Sequence, residues 1–160
     1  RNKVLGEGSI TIKNDHLKVW EISKEELWEN VYESCNEVAK MTSKSMLSIF
    51  GDNSNLPFGS EALDDMIVLS TEGGMYGAAS FMYPGVLKTL SDSIGGGNLV
   101  IIPSSVHEVI LAPMDKLIME REDLLMIVNE VNTSVVQDED VLSDNLYKYD
   151  SEHDEISIWD

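Results

Sequence analysis

The chain is poor in three things that many classes of protein need: cysteine, basic residues and long apolar runs. Its single cysteine, Cys35, excludes an internal disulfide, so the sequence carries no sign of an oxidising compartment. No run is long and apolar enough to cross a bilayer, and no basic-then-apolar leader opens the chain. A cytoplasmic location is therefore expected.

Basic residues are far outnumbered by acidic ones. Lysine plus arginine number 11 and aspartate plus glutamate 29, which gives a formal net charge of −18 at pH 7. Because phosphate groups and anionic membranes attract a cationic surface, direct binding of nucleic acid or of a membrane is not expected. Two interpretations remain: a solvated acidic surface, or an acidic decoy of a nucleic-acid-binding partner. Regular rows of carboxylates would favour the decoy, but the acids are scattered apart from clusters at residues 138–140 and 150–155.

Helical periodicity and capping signals predict three main helices. Ser23 and Glu26 stand three residues apart and form a capping box, after which apolar residues follow at helical spacing. Pro84 opens a second helix, which Gly95 ends. The third helix is predicted at residues 120–131, where apolar residues again recur at helical spacing.

Apolar runs of strand length predict a sheet built of hairpins. The predicted pairs are residues 66–70 with 75–82, 99–102 with 106–112, and 146–149 with 155–159. The middle hairpin is expected to turn at residues 103–105 and to lie centrally, because both of its strands are apolar on both faces. The glycine and alanines at residues 77–79 are poor strand formers, which predicts close packing over them.

Shorter segments are less regular. Residues 9–13 alternate and predict a strand, followed either by one helical turn or by a hairpin return. Residues 46–50 are predicted as a short helix or turn, residues 51–55 as a loop, and residues 138–142 as a short helix.

Together these segments predict an α+β fold, with a largely antiparallel sheet of hairpins alternating with three main helices. No repeat or shift in composition marks a boundary, so residues 1–160 are expected to form a single α+β domain. Because the first residue is Arg1 rather than Met, this domain is expected to be a fragment of a longer protein that lacks its N-terminal portion.

An ordered set of short motifs runs through nearly the whole chain. The motifs are His16-Leu17-x-x-Trp20, Glu25-Glu26-Leu27, Gly77-Ala78-Ala79, Tyr83-Pro84-Gly85-Val86-Leu87 and Pro103-Ser104-Ser105-Val106-His107-Glu108. In this order the chain resembles a family of uncharacterised bacterial proteins known only as a domain of unknown function. The resemblance implies a portion upstream of this sequence, and it brings no activity, cofactor or catalytic residue.

One short segment combines a nucleophile, a base and a carboxylate. Ser105, His107 and Glu108 are therefore the candidate catalytic residues, with Ser104 beside them. If His107 lies in a strand, alternation places Ser105 on the same face and Glu108 on the other, so this carboxylate cannot orient the imidazole as a triad requires. The Gly-x-Ser-x-Gly elbow is also absent. A turn serine and a hydrogen-bonded histidine explain these residues without catalysis.

Signatures of metals and cofactors are missing. The three histidines are far apart and form no His-x-x-x-His pair, and Cys35 lies on an apolar helical stripe, where a thiol is expected to pack. Residues 150–155 lack the glycine and ligand spacing of a calcium loop. Residues 95–97 are three glycines that follow a helix, whereas a phosphate loop precedes one. No cofactor or metal is expected.

The leading hypothesis is a non-enzymatic cytoplasmic binding or interaction domain that acts through a surface groove on a protein or a small molecule. The first alternative is an acid–base or hydrolytic enzyme that uses His107 with Ser105 or Glu108. The second alternative is the acidic decoy. Five methionines are expected to fill the core rather than to soften a binding surface: Met75, Met82, Met114, Met119 and Met126.

Overall fold

The computed structural model describes residues 10–50 and 63–160. The predicted loop at residues 51–55 and the start of the predicted strand at residue 9 lie outside these residues. The chain divides into two compact units, Arg1–Ser34 and Cys35–Asp160, which are described separately. The expectation of a single domain stays a prediction.

The first unit is helical in its described part. Helix α1 spans Asn14–Trp20, and α2 spans Lys24–Val38 and continues into the second unit. The capping box before α2 is confirmed: Ser23 Oγ accepts from Glu26 N at 3.0 Å, and Glu26 Oε2 accepts from Ser23 N at 2.8 Å. Residues 10–13 have no regular structure, so the predicted strand and its hairpin return are wrong.

The described part of the second unit contains α3 at Met46–Phe50, α4 at Val86–Ser93 and α5 at Arg121–Ser134, with 3₁₀ helices at Gly77–Met82, Met114–Lys116 and Asp138–Asp140. The predicted second helix begins two residues after Pro84, because Gly85 takes a left-handed φ of 72° that a helix excludes. It ends as predicted, and Gly96 N donates to Ser91 O at 2.8 Å.

Six strands in the described residues form one sheet. They are β1 at Met41–Ser45, β2 at Ile67–Thr71, β3 at Leu99–Ser105, β4 at Glu108–Pro113, β5 at Tyr147–Asp150 and β6 at Glu155–Ile158. Their order is β1-β2-β4-β3-β5-β6, and every neighbouring pair is antiparallel. The predicted α+β class, the antiparallel sheet and the central place of the middle hairpin are thus confirmed.

The first predicted hairpin is wrong. Residues 77–82 form a 3₁₀ helix instead of a return strand, and β2 pairs with β1 and β4. Ser80 Oγ stabilises this helix by donating to Gly77 O at 2.6 Å, and it also lies 3.3 Å from Ser70 O on β2. Sequence patterns missed β1 because its residues are mostly polar, and its pairing depends on a partner far along the chain.

The middle hairpin turns later than predicted. The turn residues are Val106 and His107, while Pro103 lies within β3 opposite Val109. Met114 N donates to Asn98 O, so these two residues form a hydrogen-bonded pair. Hydrogen-bonded and non-hydrogen-bonded pairs alternate along an antiparallel ladder, so Pro103 and Val109 form a non-hydrogen-bonded pair and the nitrogen of Pro103 points away from β4. Because β5 pairs with β3 only as far as Ile101, the missing N–H of Pro103 breaks no ladder bond.

Both faces of the sheet carry apolar clusters. Helix α4 and the 77–82 segment pack on one face with Leu69, Leu99, Ile101, Leu111 and Tyr149. Leu124 and Val128 of α5 pack with Leu146, Ile102 and Trp159 in the second cluster. The core therefore lies between helices on either side of β3 and β4.

Two expectations about sulfur-bearing residues have different outcomes. Cys35 is buried, in agreement with its place on the apolar stripe. Four of the five methionines expected in the core are exposed, namely Met75, Met82, Met119 and Met126, and the fifth, Met114, is half-buried. The flexible thioethers of the four exposed methionines lie at the surface instead, and Met82 borders the groove described below.

Candidate functional site

His107 lies at the tip of the β3–β4 hairpin, and both of its ring nitrogens have neighbours. Its Nδ1 accepts from Tyr76 N at 3.0 Å, and its Nε2 lies 3.3 Å from Asp140 Oδ1. The Tyr76 ring lies beside the imidazole, with centroids 5.6 Å apart. Because Nδ1 receives a proton donor, the neutral ring carries its hydrogen on Nε2 and donates it towards Asp140.

The carboxylate beside the imidazole is Asp140, whereas the candidate residue Glu108 accepts from Ser104. Asp140 belongs to the acidic cluster at residues 138–140, and its backbone oxygen accepts from Val106 N at 2.8 Å. The sequence indicated an acidic cluster and a short helix here, and the structure has a 3₁₀ helix at Asp138–Asp140, but neither feature pointed to a site. No local spacing linked Asp140 to His107, because their contact depends on how α5 returns the chain to the hairpin tip.

The side chains of Ser104, Ser105 and Glu108 form hydrogen bonds with groups other than the imidazole ring. Ser104 Oγ donates to Glu108 Oε1 at 3.3 Å, and Ser105 Oγ accepts from His107 N at 3.1 Å. His107 lies in the turn, so strand alternation does not decide which way its ring points. A serine hydrolase needs its nucleophile on the nitrogen opposite the carboxylate. Here that nitrogen accepts a backbone N–H, so the arrangement holds three segments together and presents no nucleophile to the ring.

Gly77 allows these segments to approach each other. A Cβ at this position would lie 2.6 Å from His107 O and 2.6 Å from Thr71 N, and it would also meet Ser70 Oγ. Ser70 Oγ donates to the same carbonyl, His107 O, at 2.8 Å. The predicted close packing over residues 77–79 is thus confirmed at Gly77, but the expectation that a bulky group packs there is wrong, because the neighbours are two backbone atoms and the small Ser70 side chain.

The described residues contain no group of three or more histidine, cysteine, aspartate or glutamate side chains that could hold a metal ion. His16 interacts with Trp20 in the first unit, and His153 with Asp150 in the β5–β6 turn. Hydrogen bonding between the side chains of His153 and Asp150 raises the pKa of the histidine and lowers that of the carboxyl. Within the same residues, no helix combines the length and apolar character needed to span a bilayer.

A groove of about 310 Å³ opens beside the His107 hairpin, and we call it the Phe81–Ile156 groove. Its lining consists of Phe81, Met82, Ile101, Pro103, Val109, Leu142, Ser143, Tyr147 and Ile156. The floor is the sheet face of β3, β4 and β5, because α4 and the 77–82 segment cover this face only in part. No local pattern in the sequence indicates the groove, since its lining comes from segments that are far apart in the chain.

Polar groups border the groove at two places. At one, Ser143 Oγ and Tyr147 Oη are 2.8 Å apart. At the other, a smaller adjoining hollow is bordered by Tyr149 and Asp154, and Tyr149 Oη donates to Asp154 Oδ1 at 2.7 Å. Burial raises the pKa of Tyr149 to about 12, with further contributions from this hydrogen bond and from nearby carboxylates including Asp92. The arrangement suits an apolar group held among a few polar contacts.

The raised pKa of Tyr149 predicts how stability depends on pH in alkali. Between pH 10.0 and about pH 12 the unfolded chain loses a proton that the folded chain retains, so stability falls as pH rises through this window. Replacing Tyr149 with phenylalanine removes this ionisation. We expect the variant to lose less unfolding free energy than the wild type between neutral pH and about pH 11, measured by urea denaturation. Equal losses in both proteins would show that Tyr149 ionises normally.

Comparison with known proteins identifies the chain only at the level of a family. No curated protein and no solved structure matches it. A family model described as a family of unknown function (DUF5688) matches residues 1–151. This match covers nearly the whole chain and confirms the resemblance that the ordered motifs indicated. The chain therefore belongs to this family of unknown function.

Proposed function

We propose that the chain is a non-enzymatic binding domain that holds an apolar side chain of a protein partner in the Phe81–Ile156 groove. The groove itself is the observation that carries this proposal. Its volume, about 310 Å³, is at the lower end of the range of small binding pockets, and its lining is mostly apolar. A space of this size suits one or two side chains better than a large cofactor.

The alternatives have less support. An enzyme that uses His107 needs a free ring nitrogen, whereas Nδ1 accepts from Tyr76 N and Nε2 faces Asp140. Ser105 and Glu108 bond to other groups. An acidic decoy draws support from the net charge of −18, but charge alone indicates no binding geometry. A cytoplasmic location, which we also propose, has the support that a single cysteine cannot form an internal disulfide.

The groove can be tested with N-phenyl-1-naphthylamine, a neutral apolar dye whose fluorescence rises in apolar surroundings. We expect saturable binding, and displacement by N-acetyl-leucine amide, which presents one leucine side chain between two peptide groups. Met82 borders the groove and is exposed, so a lysine there adds a charge to the rim while leaving the core intact. We expect Met82→Lys to weaken dye binding by about tenfold or more.

Met126→Lys is the matched control, because Met126 is an exposed residue of α5 outside the groove lining. This variant is expected to keep dye affinity within about twofold of the wild type. Equal weakening by both substitutions would attribute the effect to net charge. An unchanged dye affinity in the Met82→Lys variant, or the absence of saturable dye binding to the wild type, would refute the proposal.

A further inference from the structure

Strand β6 forms one edge of the described sheet. All four of its residues are exposed, and β5 is its only neighbour in the strand order. Open strand edges invite pairing with another chain, and proteins commonly blunt them with lysine or proline. The opposite edge strand, β1, carries Lys44, whereas β6 contains neither residue. The β6 edge is therefore the less protected of the two.

The backbone groups that β6 leaves open can be assigned from its pairing with β5. Trp159 N donates to Leu146 O at 2.9 Å, so these two residues form a hydrogen-bonded pair. Such pairs alternate along an antiparallel ladder. Ser157 therefore bonds to Lys148, while Ile156 and Ile158 stand opposite Tyr149 and Tyr147 in non-hydrogen-bonded pairs. The N–H and C=O groups of both isoleucines consequently point away from β5, towards the open edge.

The side chains of the same two isoleucines are also uncovered. Opposite residues of a ladder share a face, so Ile156 and Ile158 lie on the face of Tyr149 and Tyr147. They are 42% and 47% exposed, and Ile156 borders the Phe81–Ile156 groove. An apolar surface thus continues from the groove to the sheet edge, at the residues whose backbone groups are open.

Acidic residues outnumber basic ones around this edge, where Lys148 on β5 and Arg121, which donates to Trp159 O, are nearby cations. From Asp150 to the end of the chain there are five acidic residues and no lysine or arginine. Asp92, Asp150 and Asp154 all act on Tyr149 from nearby. Glu155 lies on β6, on the face opposite the isoleucines. A cationic segment is attracted to this acidic edge, whereas a second copy of the chain is repelled because each copy carries a net charge of −18.

We propose that β6 pairs with an extended cationic segment of a partner protein, in which apolar residues alternate with lysine or arginine. The apolar residues lie beside Ile156 and Ile158, with one reaching towards the groove, and the basic residues lie beside Glu155 on the other face. Strand addition of this kind takes affinity from main-chain hydrogen bonds and specificity from alternate side chains. The inference rests on the proposed function and specifies the partner for that same surface.

The probe is a short capped peptide of alternating leucine and lysine. In an antiparallel pairing, the leucines lie opposite Ile156 and Ile158, so the leucine N–H groups face β6 and the lysine N–H groups face solvent. N-methylation of the leucines is therefore expected to weaken binding by about tenfold or more, and N-methylation of the lysines by less than about threefold. In amide NMR spectra, the largest shifts are expected at Ile156 and Ile158.

A peptide of alternating leucine and glutamate controls for charge and is expected not to bind. On the protein side, Ile156→Pro removes an outward N–H that β5 does not use, and Ile156→Val keeps it. We expect the proline variant to bind the leucine–lysine peptide at least about tenfold more weakly than the valine variant does. Glu155→Lys, which leaves the backbone unchanged, is expected to weaken binding as well and to reduce its dependence on salt.

Equal effects of the two N-methylated peptides, or largest shifts at β1, would overturn the inference. Dimers seen by sedimentation, with the same amides of β6 perturbed, would identify a second copy as the occupant. If the dye binds the groove and responds to Met82→Lys while no peptide binds β6, the strand-addition inference is wrong and the proposed function remains. If neither the dye nor the peptide binds, both are wrong.

Discussion

Replacing Gly77 with alanine is expected to lower the free energy of unfolding by about 3 kcal/mol, the upper part of the usual range for overpacking. The added Cβ would lie 2.6 Å from both His107 O and Thr71 N. Both of these neighbours are backbone atoms, and Thr71 belongs to strand β2. Neither can move by rotating a side chain, so the 77–82 segment must shift away from β2 and from the hairpin tip.

The matched control for this substitution is Gly73→Ala. Nothing lies within 4 Å of a Cβ at Gly73, and its φ is not in the left-handed region. Alanine there reduces the freedom of the unfolded chain, so we expect a change between zero and a gain of about 0.5 kcal/mol. Both variants can be measured by urea denaturation, with the slope against denaturant as a test of two-state behaviour. Equal stability of the two variants would contradict the close approach at Gly77.

Replacing Leu111 with alanine is expected to cost about 3 kcal/mol of unfolding free energy, a typical value for a large-to-small change in a core. Leu111 is fully buried on β4 and stands opposite Ile67 of β2 and Ile101 of β3. Since β4 lies in the middle of the sheet, a cavity there has packed strands on both sides. The surroundings can therefore collapse only in part, and most of the lost contact energy is not recovered.

Ile118→Ala serves as the control for this truncation, because Ile118 is 75% exposed. It removes a similar apolar side chain from the surface and is expected to change stability by less than about 0.5 kcal/mol. Thermal or urea denaturation of both variants tests the contrast. A loss below about 1 kcal/mol for Leu111→Ala would place this residue outside a tightly packed core.

Much of the fold could be predicted because its signals are local. The capping box at Ser23 and Glu26 joins groups three residues apart, so its bonds form wherever the helix forms. The strands of the middle hairpin are apolar on both faces, which requires cover on both sides whatever the order of the other strands. These features gave the antiparallel sheet and its centre correctly.

The failures share a different cause. Residues 75–82 were predicted to return as a strand although residues 77–79 are poor strand formers, and residues 77–82 form a 3₁₀ helix in which Gly77 packs against β2 and the His107 turn. The polar strand β1 pairs with β2, which is more than twenty residues further along the chain, and no local pattern in the sequence predicts this pairing. Such outcomes are set by contacts between segments, where tertiary packing overrides propensity.

The candidate site follows the same division. His107, Ser105 and Glu108 were found because they are close in the sequence, but the partners of the imidazole, Tyr76 and Asp140, were not. Asp140 reaches the imidazole only because the chain after α5 passes the hairpin tip. The Phe81–Ile156 groove exists because helices cover one sheet face only in part, and no single segment contains that information.

By itself, the sequence determined the acidic charge, the absence of an internal disulfide, the family and the central hairpin. Composition and short-range spacing are enough for these, because they need no knowledge of the path of the chain. The tertiary structure decided that both nitrogens of His107 have neighbours, that β6 is an edge of the sheet among the described strands, and that an apolar groove lies beside it. Each of these depends on distances between residues far apart in the chain, which only the packing of the segments fixes.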